Sequence, residues 1–129
     1  MKYMLLIHGN SEGWKDLDDW SQEDLQAMVR FMHGINADLS ASGELLDAQG
    51  LAGPEYAKTV RASQDGEPII TDGPFSETKE VLAGFWLLEV SSEQRALEIA
   101  ARVSATPGPG GILINQPVEV HPIGEPPAV

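Results

Sequence analysis

Apolar residues recur along the chain at two different spacings, and these spacings divide it into strands and helices. Consecutive apolar residues from Tyr3 to Ile7 and from Leu82 to Val90 are typical of buried strands. Two other segments repeat apolar residues every three or four positions, which predicts amphipathic helices. The first helical stripe contains Leu25, Met28, Val29, Met32, Ile35 and Leu39, and the second contains Ala96, Leu97, Ile99, Ala100 and Val103.

Serine residues mark the start of both predicted helices. Ser21, with Asp24 three residues later, makes a variant of the capping box. Ser91 or Ser92 is a preferred N-cap residue for the second helix. The first helix is predicted to end near Gly43.

Shorter apolar segments predict the remaining strands, with turn residues such as Gly53-Pro54 and Asp65-Gly66 between them. These strands are Glu44 to Ala48, Ala57 to Ala62, Glu67 to Thr71, and a last strand made of Ile112 to Ile114 and Val118 to Val120, interrupted near Pro117. The segment TPGPGG before the last strand is predicted to be irregular. The order of elements predicts an α+β fold, a ferredoxin-like βαββαβ sandwich with an inserted β-hairpin. Residues 1–122 would form one domain and residues 123–129 a frayed C-terminal tail.

The apolar pattern also predicts self-association. Two helices can cover only one face of a small sheet, yet Tyr3 to Ile7 and Leu82 to Val90 are apolar at consecutive positions and call for burial of both faces. A second copy of the same sheet is the simplest cover for the other face, so we expect a homodimer.

Composition narrows the classes of partner and compartment. The 129 residues carry a formal net charge of −12, which repels nucleic-acid backbones and anionic lipid surfaces. The chain has no cysteine, which suits a reducing cytoplasm and excludes thiolate metal sites. The first apolar run is too short for a signal peptide or a membrane span. We therefore expect a cytoplasmic protein that binds neither nucleic acid nor membrane.

One polar segment, TDGPFSETKE from Thr71 to Glu80, separates two apolar strands and invites a functional interpretation. Asp72, Gly73 and Pro74 have the chemistry of a tight turn, and Phe75 would anchor that turn against the core. The charged residues at the far end of the segment are not explained by turn formation. The second half of the segment is therefore where a site hypothesis needs testing.

The sequence resembles the DGPF-motif branch of the YCII-related proteins. The resemblance runs from Met1 to about Pro122 and rests on MKYMLLI at the start, Gly43 and Gly50-Leu51 after the first helix, Thr59-Val60-Arg61, and TDGPFSETKE followed by VLAGF. It implies a ferredoxin-like fold, a dimer of the dimeric α+β barrel type and a cleft near the motif, with no assigned reaction. Genes of this branch often lie beside those for extracytoplasmic-function sigma factors.

Three residues are candidate catalytic groups. Asp72 is either a general acid or base at a cleft or a turn-forming side chain. More distant YCII-related proteins resemble enzymes with a His-Asp pair whose histidine lies on the first helix, and His33 is the nearest candidate here, although its position on the flank of the apolar stripe also suits a half-buried hydrogen-bonding residue. Glu80 is the third candidate.

Three further residues are candidate substrate-binding groups. His8 ends the first strand, where side chains often line a cleft mouth. Arg61 could hold a substrate carboxylate, or it could neutralise one of the twenty acidic residues. Lys79 and Glu80 are adjacent, so at most one of them faces a given pocket.

Two functional hypotheses follow. The first is a cytoplasmic homodimer with a small-molecule-binding or weakly catalytic cleft beside the DGPF loop, in which Asp72 with His33 or Glu80 performs isomerase-like or lyase-like proton transfer. We expect this chemistry to need no cofactor and no metal, because the three histidines show no paired spacing. The alternative is a non-catalytic partner protein in sigma-factor signalling, with the acidic segment from Glu12 to Asp24 as the interacting surface.

Overall fold

The computed structural model describes residues 1–9, 17–74 and 80–128. Within these residues the chain forms six strands and two helices. In chain order they are Lys2–Gly9 (β1), Gln22–Ala41 (α1), Leu45–Gly50 (β2), Lys58–Arg61 (β3), Ile69–Asp72 (β4), Val81–Glu89 (β5), Glu93–Ser104 (α2) and Val118–Pro122 (β6). Short 3-10 turns occupy Leu17–Asp19, Pro54–Tyr56 and Pro109–Gly111.

Four of the strands form one sheet and the other two form a separate hairpin. The sheet has the order β2-β5-β1-β6 with every neighbouring pair antiparallel. Strands β3 and β4 pair only with each other in the described residues, and we call this hairpin the arm. The strand order with its two crossover helices is that of an α+β ferredoxin-like fold, so the predicted sandwich with an inserted hairpin is confirmed.

The helix boundaries follow from local chemistry that the sequence already shows. The Ser21 hydroxyl accepts a hydrogen bond from the Asp24 backbone N–H at 3.1 Å, and the Ser92 hydroxyl accepts one from the Arg95 N–H at 3.2 Å. Helix α1 is followed by Gly43 with a φ of 79°, a left-handed conformation that glycine adopts without steric cost. The predicted caps and the predicted end of α1 are confirmed.

Both helices pack on one face of the sheet. Alternate residues of β1 and β5 point to this face, and their side chains are buried against the two helices. The buried core consists of Tyr3, Leu5, Ile35, Leu39, Trp86, Leu88, Val90, Ala96, Ile99, Ala100 and Val103. Five members of the predicted stripes do not join it. Leu25, Met28 and Met32 are only half-buried, and Val29 and Leu97 lie on the outer sides of their helices and are 41% and 45% exposed.

The opposite sheet face, which we call the open face, carries the alternate apolar residues of the same strands. Leu6 pairs with Phe85 and Met4 pairs with Leu87 across β1 and β5. All four side chains are partly exposed. The two central strands are therefore apolar on both faces, as their consecutive apolar residues predict.

The C-terminal strand is shorter than predicted. Ile112 to Ile114 does not enter the sheet, and the segment turns back on itself through an isolated bridge between Pro107 and Leu113. The reason is local, since Gly110 and Gly111 both adopt positive φ and reverse the chain before the strand starts. The strand β6 then begins at Val118 and extends to Pro122.

Strand β5 contains an irregularity near Gly84. The pairing with β1 shifts by one residue between Ile7 and His8, which leaves Ala83 as the extra residue of a β-bulge. Gly84 itself is required by close packing, because a Cβ atom there would lie 2.8 Å from the Gln49 carbonyl oxygen.

No helix among the described residues is long and apolar enough to cross a membrane.

Candidate functional site

A cleft opens between α1 and the helix-covered face of the sheet, and we call it the inner cleft. Its volume is about 220 Å³. Its lining combines ten apolar residues, two glycines and four neutral polar residues. The lining residues are Ile7, Met28, Met32, Asn36, Ala48, Gln49, Gly50, Ala83, Gly84, Phe85, Trp86, Val103, Thr106, Ile114, Gln116 and Val118.

The helix wall of the inner cleft follows from residue spacing on α1. Met28, Met32 and Asn36 are four residues apart, so they lie on the same side of the helix and face the sheet together. Unbranched methionine side chains fill irregular space and adapt to different shapes. This wall is therefore apolar and adaptable, with one amide group at its end.

The sheet wall follows from the pleat of β5. Trp86 points to the helix side, and its indole N–H donates a hydrogen bond to Asn36 Oδ1 at 2.8 Å. Two positions further towards the N-terminus, Gly84 places no side chain in the cleft and pairs with Gly50 of β2. The cleft is open at this point because two glycines face each other across the strands.

No ionisable side chain lines the inner cleft among the residues that the structure describes. The four polar residues in the lining are amides or a hydroxyl, and these neither gain nor lose a proton near neutral pH. A charged molecule in this space would lose hydration without gaining a counter-ion. The inner cleft is thus suited to neutral molecules.

The predicted residues of the DGPF segment lie outside the inner cleft. Asp72 ends β4 in the arm, where its carboxylate is 88% exposed and contacts the Lys58 ammonium group. Glu80 precedes β5 and is exposed, and Arg61 is exposed on β3. Lys79 and Phe75 lie outside the described residues.

A shallow depression does lie beside the Asp-Gly-Pro turn. It is lined by Leu51, Ala52, Gly53, Pro54, Tyr56, Ala57, Pro74, Val81 and Leu82. Its side chains are almost all apolar, and neither Asp72 nor Glu80 is among them. The turn itself is held by the Gly73 N–H bonded to the Ala57 carbonyl and by the Thr59 hydroxyl bonded to the Gly73 carbonyl, both at 2.7 Å.

His33 lies on the other side of α1 from the inner cleft. Its side chain is exposed, and it lines a broad groove of about 770 Å³ on the outer surface of the helix. The groove is formed by Trp20, Gln22, Leu25, Gln26, Val29, Arg30 and His33. The three predicted catalytic residues therefore lie on three different elements, and none of the described cavities is lined by two of them.

His8 belongs to a small polar cluster on the open face. Its Nε2 lies 2.7 Å from Glu119 Oε1, and His121 Nε2 lies 3.6 Å from the same oxygen. The hydrogen bond with His8 is the main reason why the pKa of the Glu119 carboxyl lies below its ordinary value. In the described residues no group of three or more His, Cys, Asp or Glu side chains has a geometry that could hold a metal ion.

The largest pKa shift belongs to an ion pair that supports the fold. The Arg95 guanidinium contacts Glu44 through Nε at 2.8 Å and through a second nitrogen at 2.9 Å, and Ser42 adds a hydrogen bond at 2.7 Å. These bonds lower the pKa of Glu44 from 4.5 to about 2, and Glu44 in turn raises the pKa of Arg95. The pair links the start of β2 to the first turn of α2.

Sequence reasoning missed both members of the Asn36–Trp86 pair. Asn36 follows Ile35 and precedes Leu39 within the predicted apolar stripe, where a polar residue needs a hydrogen-bond partner. Trp86 lies at the centre of the most apolar strand, and a buried indole N–H also needs an acceptor. The need of each of these two polar groups for a hydrogen-bond partner was the signal in the sequence that could have identified the pair. Of the acidic segment of the alternative hypothesis, Glu12 to Asp24, residues 12–16 lie outside the described residues, and the rest forms the 3-10 turn Leu17–Asp19 and the start of α1.

Comparison with known proteins places the chain among relatives of undetermined function. A family model described as the YCII-related domain matches residues 1–114. An uncharacterised protein of Rhizobium meliloti (strain 1021) is 34% identical over 110 residues, which cover 84% of this chain and 87% of that protein. The family match includes all the lining residues of the inner cleft except Gln116 and Val118.

Proposed function

The chain belongs to the YCII-related domain family, and from this premise we propose that it binds a small organic molecule in the inner cleft. The observation that carries the proposal is the cleft itself. It is concave and mostly apolar with a few polar groups that could orient a ligand, which are the usual properties of small-molecule sites. Its volume of about 220 Å³ suits a compound with a single ring.

Binding is better supported than acid–base catalysis. Proton transfer needs an ionisable group within hydrogen-bond reach of the substrate. Asp72, Glu80 and His33 lie on the arm, before β5 and on the outer side of α1 respectively. None of these three residues lines the inner cleft.

Filling the cleft tests the proposal directly. Ala48 lines the cleft and Ala37 is exposed on α1, so Ala48→Leu and Ala37→Leu form a matched pair. Wild type and both variants would be screened by thermal unfolding against a set of neutral single-ring compounds. A ligand at about one hundred times its Kd adds about 2.7 kcal/mol to the free energy of unfolding.

We expect stabilisation of the wild type and of Ala37→Leu, and its loss in Ala48→Leu. Equal stabilisation of all three proteins would place the ligand elsewhere. No stabilisation of the wild type by any compound would reject the proposal.

The proposed active form is a homodimer joined through the open face. The residue types on this face support it, because Met4, Leu6, Phe85 and Leu87 form an apolar centre there. Lys2 and Glu89 are register partners in the β-ladder at its edge and supply both charge signs, which suits a self-complementary two-fold interface.

The oligomeric state has its own matched test. We expect the wild type to sediment as a dimer and Leu6→Glu as a monomer, because a charge would replace an apolar contact at the centre of the interface. Leu97→Glu, on the outer side of α2, should remain dimeric. A monomeric wild type at high protein concentration would exclude this assembly, and circular dichroism would verify that each variant is folded.

A further inference from the structure

The side-chain amides of the inner cleft differ in how their nitrogens are used. Gln49 Nε2 donates to Asp47 Oδ1 at 3.1 Å, and Gln116 Nε2 donates to the His8 carbonyl. The Thr106 hydroxyl likewise donates to the Val103 carbonyl at 2.6 Å. The Asn36 amide nitrogen is the exception, because it has no hydrogen-bond partner among the described residues.

The orientation of the Asn36 amide is determined by chemistry rather than by choice of rotamer. An indole N–H can only donate, so the atom that faces Trp86 Nε1 at 2.8 Å must be the amide oxygen. The amide nitrogen then lies on the other branch of the same planar group. No buried side-chain nitrogen or oxygen of the described residues lacks a hydrogen-bond partner. The unpartnered Asn36 nitrogen is therefore accessible to solvent, and it belongs to a residue that lines the cleft.

From this geometry we infer that the inner cleft selects neutral ring compounds that carry a hydrogen-bond acceptor, such as a carbonyl oxygen, and that the Asn36 amide nitrogen is the group that recognises it. This inference rests on the proposed function of the cleft. Trp86 acts as a positioning residue, since its N–H keeps the Asn36 oxygen turned away from the ligand.

Three properties of the cleft lead to this class of ligand. Its lining has no ionisable side chain among the described residues, which disfavours anions and cations alike. Its apolar walls favour a ring or alkyl body. Asn36 Nδ2 is the side-chain amide nitrogen of the lining that has no partner among the described residues. It favours a ligand with an acceptor, because a ligand without one would remove water from that nitrogen and leave it unpaired.

The first part of the test uses the wild-type protein and three compounds of similar shape. Acetophenone has a ring and a carbonyl acceptor, ethylbenzene lacks the acceptor, and benzoate adds a negative charge. Dissociation constants would come from titrations followed by ¹H–¹⁵N correlation spectra, in which the Asn36 side-chain amide and the Trp86 indole N–H give separate signals. We expect acetophenone to bind about tenfold more tightly than ethylbenzene, the size of one lost hydrogen bond with an unpaired partner. Benzoate should bind more weakly than either.

The second part changes the recognising group. Asn36→Asp keeps the oxygen that accepts from Trp86 and replaces the amide nitrogen by an oxygen, so acetophenone should weaken by about tenfold while ethylbenzene changes little. Gln26→Glu is the matched control, because it makes the same nitrogen-to-oxygen exchange on the same helix, at a residue that lines the outer groove and not the inner cleft. Trp86→Phe should reduce the preference for acetophenone, because the amide of Asn36 is then free to turn.

The outcomes separate the inference from the proposed function. If none of the three compounds binds and the cleft-filling screen is also negative, the proposed function fails. Equal affinity for acetophenone and ethylbenzene in the wild type, or a loss of acetophenone binding as large in Gln26→Glu as in Asn36→Asp, would overturn the role of Asn36 and leave the cleft as a binding site. Benzoate binding as tightly as acetophenone would overturn the preference for neutral ligands. The wild-type comparison needs no variant to fold.

Discussion

The four-stranded sheet and the arm are both antiparallel β-structure in one short chain, yet they differ in what covers them. The sheet buries Leu5, Trp86 and Leu88 under two helices. In the arm, all four residues of β4 and three of the four residues of β3 are exposed, and Ile70 is 62% exposed. The arm also carries the start of TDGPFSETKE, the most recognisable segment of the sequence.

The most recognisable segment of the sequence therefore begins in the arm, whereas the sheet and its helices stabilise the fold. A two-stranded hairpin without apolar cover is at best marginally stable in water, whereas a sheet with a helical layer supplies most of the buried apolar area. The inner cleft belongs to the sheet and helix layer, not to the arm. We therefore expect substitutions in the sheet to affect stability and binding, and substitutions in the arm to affect neither strongly.

The largest contrast is expected between buried and exposed aliphatic side chains. Leu88 is 0% exposed, and Leu88→Ala should lower the free energy of unfolding by about 2–5 kcal/mol through lost burial and a residual cavity. Ile70→Ala in the arm should lower it by about 0.5 kcal/mol or less. Urea unfolding measures both values, and a comparable loss for Ile70→Ala would mean that the arm is covered in solution.

Close packing of two strands gives the next effect. Gly84→Ala would place a Cβ atom 2.8 Å from the Gln49 carbonyl, so β2 and β5 must move apart at a cost of about 1–3 kcal/mol. Gly50→Ala on the neighbouring strand is the control, because a Cβ atom there meets nothing within 4 Å. Equal stability of the two variants in urea would show that β2 and β5 can move apart at Gly84 without a loss of stability.

The Glu44–Arg95 ion pair should contribute a smaller, pH-dependent amount. The folded-state pKa of Glu44 is lowered to about 2, below its ordinary value of 4.5, so its contribution is complete above about pH 4.5 and is lost as the pH falls towards 2. Glu44→Gln should therefore cost about 1 kcal/mol at neutral pH, since the pair is partly exposed.

The difference between Glu44→Gln and the wild type should narrow in urea titrations between about pH 5 and pH 2.5. A gap that stays constant over this range would mean that the ionised form of Glu44 is not the source of the stabilisation. Arg95 remains protonated throughout and serves as a constant partner.

The smallest effect is expected for the ion pair in the arm. Lys58 and Asp72 are 58% and 88% exposed, and exposed pairs of this kind contribute between zero and about 1 kcal/mol. Asp72→Asn should change the free energy of unfolding by less than about 0.5 kcal/mol and leave ligand binding in the inner cleft unchanged. A loss of ligand binding in Asp72→Asn would mean that the DGPF turn contributes to the binding site.

The candidate catalytic residues chosen from the sequence did not predict the inner cleft. Asp72, His33 and Glu80 were chosen for their chemistry, but each belongs to a different element, and their separation depends on how the elements pack. Asn36 and Trp86 are fifty positions apart in the sequence and meet only because β5 pairs beside β1 under α1. A buried polar group that needs a partner was the one sequence signal that pointed to them.

Local chemistry in the sequence was sufficient for the elements of this protein. The serine caps, the helical stripes, the glycine after α1 and the consecutive apolar residues of β1 and β5 depend on interactions within a few residues, so the α+β sandwich could be predicted from them. The packing decided which side of each element faces a cavity: Leu25 and Val29 line the outer groove, while Met28 and Met32 line the inner cleft. The physical reason is that a cleft forms between elements distant in sequence, and its shape depends on strand order, the bulge beside Gly84 and the angle at which α1 crosses the sheet.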